Sequence, residues 1–115
     1  MKFKVYAKGE LIGESELEMG DAPMGVAFGA MMPLGQYQKY QGIFEAQDYE
    51  EIESLNLRVT AENGKTLEPC AGIGIEDVSK EAGETCIELS VLGLDSDLYK
   101  EYFAHHVAAY EAQFK

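Results

Sequence analysis

Two histidines, two cysteines and one run of carboxylates are the residues whose chemistry stands out in this chain. His105 and His106 are neighbours in a segment of helical period, so their directions diverge by about 100°. Ligand pairs on a helix sit three or four residues apart, and adjacent histidines do not easily grip one metal ion. Acid–base work by His106 needs a carboxylate or nucleophile beside it in space, which no spacing in the sequence supplies. It reads first as a core or interface histidine. Cys70 and Cys86 form neither a CxxC pair nor a metal-ligand pattern, and two buried free thiols are expected. Glu45, Asp48, Glu50, Glu51 and Glu53 crowd into one short stretch. Their spacing is not that of an EF-hand loop. They read as a solvated helix end, and as the surface a basic protein partner would touch.

Glycine-rich backbone is the other candidate. The stretch from Gly20 to Phe44 holds Met24, Met31, Met32, Pro23 and Pro33 together with Gly25 and Gly29, which flank Val26-Ala27-Phe28. Exposed N–H groups of such a turn can cradle an anion. Against this, the stretch has neither GxGxxG nor GxxxxGK[ST], and no lysine or arginine lies between Gly20 and Gln38. A tightly packed central strand is the favoured reading, with the methionines filling core gaps. The candidate ligand-binding residues are therefore His106, Gly25, Gly29, Tyr37 and Tyr110, which nothing in the sequence assembles into one place. No catalytic residue, metal site or cofactor is assigned.

Charge is the property furthest from average. Asp and Glu number 21 against nine Lys and Arg, a net charge of −12. Such a surface repels phosphate backbones, so nucleic acid is not an expected partner. It speeds encounter with a basic one. No run of about 18 apolar residues exists, so no membrane span is expected. MKFKVYAKGE lacks an apolar signal core, which makes the cytoplasm the default location.

The elements that would position these residues follow from periodicity. Residues 2–7 alternate with Phe3, Val5 and Ala7 on one face, and Lys8-Gly9 turns the chain. Residues 10–18 return with Leu11, Gly13, Ser15 and Leu17 on one face and glutamates on the other. After Pro33 the period becomes helical, with Leu34, Tyr37, Tyr40, Gln41 and Phe44 on one side, Gly35 as N-cap and Gln38 as its partner. Residues 54–62 read as a strand carrying Leu55, Leu57, Val59 and Ala61. A three-residue loop, Glu62 to Gly64, pairs Val59 with Leu67. A second hairpin sets Ile73 and Ile75 opposite Ile87, Leu89 and Val91. Gly72 and Gly74 leave its other face bare, and a helix is expected to cover it. Asp95 or Ser96 caps a last helix whose apolar face runs through Tyr99, Tyr102, Phe103, His106, Val107, Tyr110 and Phe114.

The predicted fold is one α+β domain over residues 1–115, a mostly antiparallel sheet with two helices, about 33–48 and 95–113, packed on one face. The expected function is that of a small acidic, cytoplasmic protein-binding or accessory domain, more a binder than an enzyme. An inhibitor or immunity-type protein for a basic partner is its concrete version. The alternative is a homodimeric small-ligand binder or enzyme with a pocket near His106.

Overall fold

Strict alternation makes the first strand, and the rest of the sheet is laid beside it. In this structure, a computed structural model that describes residues 1–69 and 71–113, β1 (Phe3–Ala7) buries Phe3, Val5 and Ala7. Lys8 and Gly9 both have positive φ, the primed turn that a two-residue hairpin needs. β2 (Glu10–Ser15) returns antiparallel. The register skips Ile12, since Val5 faces Gly13 while Tyr6 faces Leu11. This bulge turns Ile12 into the core in place of Leu11, which corrects the expected inward face of β2.

The strand expected to run to Glu18 ends at Ser15. β3 (Met19–Asp21) follows, and both β2 and β3 pair with the long β4 (Val26–Pro33). The core face of β4 is Ala27, Gly29 and Met31. Only one of the three neighbouring methionines is interior: Met31 is 3% exposed, Met24 67% and Met32 61%.

The helix expected over 33–48 forms with shorter ends, and an unexpected second helix follows it. α1 (Tyr37–Ala46) buries Tyr37, Tyr40 and Phe44. It stops at Gln47, whose φ of 54° is left-handed, and α2 (Tyr49–Ser54) restarts with Asp48 accepting a hydrogen bond from the Glu51 N–H. Gly35 is not the N-cap. Residues 34–36 are a turn tied to β2 (Leu34 N–H to Ile12 O, 2.9 Å; Gln36 N–H to Leu11 O, 2.9 Å), and Gln36 takes the cap position without a side-chain bond. The strand expected over 54–62 shrinks to β5 (Arg58–Thr60), because α2 runs through Ser54 and Asn56 is left-handed. Leu55 still reaches the core from the end of α2.

β6 (Thr66–Leu67) pairs with β5 in the expected register, Val59 opposite Leu67, and Gly64 sits at φ 86° after the three-residue loop. β7 (Gly72–Asp77) and β8 (Ile87–Leu92) also pair as expected, Ile73 with Val91 and Ile75 with Leu89, around a one-turn α3 (Ser79–Ala82). Two expectations fail on this hairpin. Nothing lies within 4 Å of where a Cβ on Gly72 or Gly74 would stand, so among the described residues no helix packs against these glycines. Cys86 is an exposed free thiol rather than a buried one. The expectations for Cys70 and Phe114 lie outside the described residues.

The sheet order is β6-β5-β1-β2-β4-β8-β7, with β3 beside β4. Its two end strands line one common groove, so the sheet curls on itself. α4 (Ser96–Ala112) starts at Asp95, which accepts from Leu98 N–H at 2.9 Å, and departs from helical geometry at Phe103. Phe103 stacks on Phe3 (5.3 Å between centroids) and Tyr102 meets Phe3 edge-on, so α4 and α1 bury their faces in one continuous core. No described helix is long and apolar enough to cross a membrane.

Candidate functional site

Among the described residues the only buried acid is Asp77, at the end of β7. It is 4% exposed. Its carboxylate accepts from the Tyr37 hydroxyl at 2.6 Å, from Ser79 N–H at 2.9 Å and from Gln41 Nε2 at 3.3 Å. Burial alone would push this carboxyl up. The bonds from Ser79, Tyr37 and Gln41 together outweigh that and hold it below the ordinary carboxylate range. Tyr37 is driven far above the usual phenol range, first by burial and then by Asp77. The pair is a neutral phenol donating to an ionised carboxylate, clamping α1 to the β7–β8 hairpin. Tyr37 also lines a groove of about 330 Å³ with Gln41, Ser79 and Ile87.

His106 lies on the inner side of α4 and is 8% exposed. Its Nε2 is 2.8 Å from the carbonyl oxygen of Leu17, so that nitrogen carries the proton and donates. The ring stacks on Phe103 (5.4 Å, 11°), and a Cβ on Gly20 would come within 2.7 Å of the ring. Among the described residues no acid is bonded to it. His105, exposed beside it, is held below the usual imidazole range by partial burial and by the neighbouring His106. Among the described residues no group of three His, Cys, Asp or Glu could hold a metal.

The two glycines meet the chain's own groups. Gly25 (φ 65°) exchanges a hydrogen bond with Leu94, whose N–H donates to Gly25 O at 2.9 Å, and the Leu94 carbonyl occupies the place of a Cβ. At Gly29 that place is taken by the Glu18 carboxylate, which also accepts from Ala30 N–H at 2.9 Å. Gly25 and Tyr110 do share a groove, about 780 Å³, with Met24, Leu94 and Val107. Of the candidate ligand residues these two alone are brought together. Gly29 and Tyr37 do not line that groove, and His106, one turn before Tyr110 on α4, is instead turned to Phe103 and Leu17.

The candidate partner-binding acids divide as well. Glu45 is half-buried on α1 and lies 3.7 Å from Lys80. Asp48, Glu50, Glu51 and Glu53 are exposed on α2, and among the described residues none of them is in an ion pair. Tyr49 stands in their midst at 79% exposed. Sequence reasoning missed Tyr49, and it missed a second cluster in which Tyr40 and Lys39 (2.9 Å) both donate to Glu10. The hydrogen bond from Tyr40, followed by that from Lys39, holds Glu10 below the ordinary range. Asp77 was equally hidden, because its partner is 40 residues away in the chain. No protein-family model, curated protein or solved structure matches this chain.

Proposed function

We propose that this chain is a small acidic protein-binding or accessory domain that works in the cytoplasm on a basic protein partner. An inhibitor or immunity-type plug for a basic toxin or nuclease is the most concrete form. The observation that carries the reading is Tyr49, 79% exposed on α2, where Glu50, Glu51 and Glu53 and the capping Asp48 are also exposed. Ile52 and Leu55 anchor α2 in the core, and most of the Tyr49 side chain is left in water. A tyrosine presents a large rigid contact area with a polar tip, which is why the type is enriched at interfaces. The carboxylates around it select for lysine and arginine opposite, and a net charge of −12 accelerates the encounter. The alternative, a ligand pocket beside His106, draws less support from a ring stacked on Phe103 and bonded to Leu17.

The test compares the wild type with a Tyr49→Ala, Glu50→Lys, Glu53→Lys variant as bait for a basic partner. The wild type should associate at a rate that falls steeply with salt, and the variant should lose most of that rate. Equal association by the two, or no salt dependence, sinks the reading.

A further inference from the structure

One side of the sheet is left uncovered, and its side chains are not those of a face meant only for water. Directly paired residues share a face, and Met19 pairs with Phe28, Phe28 with Ser90, and Ser90 with Gly74. The helices pack on the opposite side, where Ala27, Leu89 and Ile75 are buried. On the uncovered side Val26, Phe28 and Leu92 are half-buried and Met19 and Met32 are 53% and 61% exposed. Gly74 beside them faces open space. The apolar seam runs along β4 from Val26 to Met32, and the missing side chains of β7 make a shallow trough next to it.

Carboxylates border this seam. Glu76 and Glu88 are directly opposite one another and both exposed, an arrangement that destabilises a sheet on its own. Neither has an ion-pair partner among the described residues. Beyond Met32 the face continues into a hollow of about 650 Å³ lined by Glu14, Glu16 and Glu18, where the one basic residue, Lys2, is paired with Glu14 at 3.3 Å. A second copy of this chain would bring acid against acid. β4 and β8 are interior strands without a free edge, and on the edge strand β7 the Ile75 carbonyl is taken by Gln47 Nε2 at 3.1 Å.

We propose that the outer face of β3, β4, β8 and β7 docks a basic amphipathic helix of a partner protein. Its apolar stripe would lie along the Phe28 seam, and its lysines and arginines would reach Glu76, Glu88 and the Glu14–Glu18 hollow. This rests on the basic-partner reading and adds the surface and the occupant. The seam from Val26 to Met32 is about 20 Å long at 3.3 Å per residue, which a helix of about 13 residues covers.

The test uses two synthetic peptides of the same lysine–leucine composition, one amphipathic as a helix and one scrambled, titrated into the isotope-labelled protein. The amphipathic peptide should bind at least about tenfold more tightly and shift amides of residues 19–32, 72–76 and 88–92. A Cβ on Gly74 meets nothing within 4 Å, so Gly74→Tyr should fill the trough and weaken that binding by about tenfold or more while the thermal midpoint does not fall. Glu76→Gln with Glu88→Gln should weaken binding by about 2- to 5-fold and raise the midpoint, a pair of opposite signs that a purely structural role would not produce. Shifts confined to residues 45–54, equal affinity for the two peptides, or unchanged binding in both variants overturns the proposal and leaves the basic-partner reading standing. Failure of both peptides to bind at low salt overturns both.

Discussion

Replacing Tyr37 by Phe removes a single oxygen from the most enclosed polar cluster of the fold. The hydroxyl donates to Asp77 at 2.6 Å where the acid is 4% exposed, so the bond is charge-assisted and shielded from water. Such bonds contribute about 1.5–3 kcal/mol. Gln41 and Ser79 still donate after the change, so the carboxylate is not stranded, and the expected loss is near the lower end, about 1.5–2 kcal/mol. Asp77→Ala is worse, about 3–5 kcal/mol, because it leaves the Tyr37 hydroxyl buried without its acceptor and frees the start of α3. Asp77 has a lowered folded-state pKa, so its contribution is complete above the ordinary carboxyl value near 3.8 and is lost as pH falls through the lower folded value. Tyr37 has a raised one, so the neutral phenol stabilises the fold below its ordinary value near 10 and that contribution fades only as pH climbs through the higher folded value. The pair's contribution to stability against urea, read as wild type minus Asp77→Asn, should therefore be flat across the neutral range and shrink at the acid end. A coupling below about 0.5 kcal/mol in the Tyr37→Phe, Asp77→Asn double-mutant cycle would refute the reasoning, since a direct buried bond couples by about 1 kcal/mol or more.

Three further outcomes are expected. His106→Ala should lower stability by about 2–4 kcal/mol in urea melts, from the stack on Phe103 and the donor to Leu17 that it removes together. Gly25→Ala should cost about 1–3 kcal/mol, measured the same way, because the left-handed φ of 65° is compounded by the Leu94 carbonyl in the place of the new methyl. Cys86, exposed and free, should be alkylated by maleimide in the native protein without denaturant, whereas a thiol that reacts only on unfolding would contradict its placement.

What could be read from the chain in advance was whatever local chemistry decides. Alternation gave β1, Asn63-Gly64 gave the loop and the Val59–Leu67 register, and Asp95 gave the start of α4. The boundaries failed where tertiary contacts decide. Ile12 displaces Leu11 because of a bulge that depends on β1, and Leu55 joins the core from a helix end although its spacing with Leu57 and Val59 is that of a strand. The groups proposed to act on a partner were half legible. A run of acids in residues 45–53 is visible in any reading, but their spacing does not show that Tyr49 is left in water while Ile52, three residues on, is buried. The uncovered sheet face was the hardest to foresee. Gly72 and Gly74 alternate with isoleucines, and bare backbone reads equally as close packing or as open space.

The break between β2 and β3 ties several of these features into one physical account. Leu17 takes a φ of 46°, costly for a leucine, and the strand cannot continue through it. Three groups offset that cost. The Leu17 side chain is fully buried, its carbonyl is met by His106, and its N–H is met by the Ser15 hydroxyl at 3.0 Å. The ladder position lost on β4 is refilled by Glu18, whose carboxylate takes the Ala30 N–H and fits because residue 29 is glycine. Gly20 in turn lets the His106 ring and the Tyr99 hydroxyl come close to the backbone. The glycines at 20 and 29 thus make room for this chain's own imidazole, phenol and carboxylate. The same break leaves Met19 and the glutamates of the hollow at the rim of the uncovered sheet face, so the strain at Leu17 shapes the surface on which the basic helix is proposed to lie.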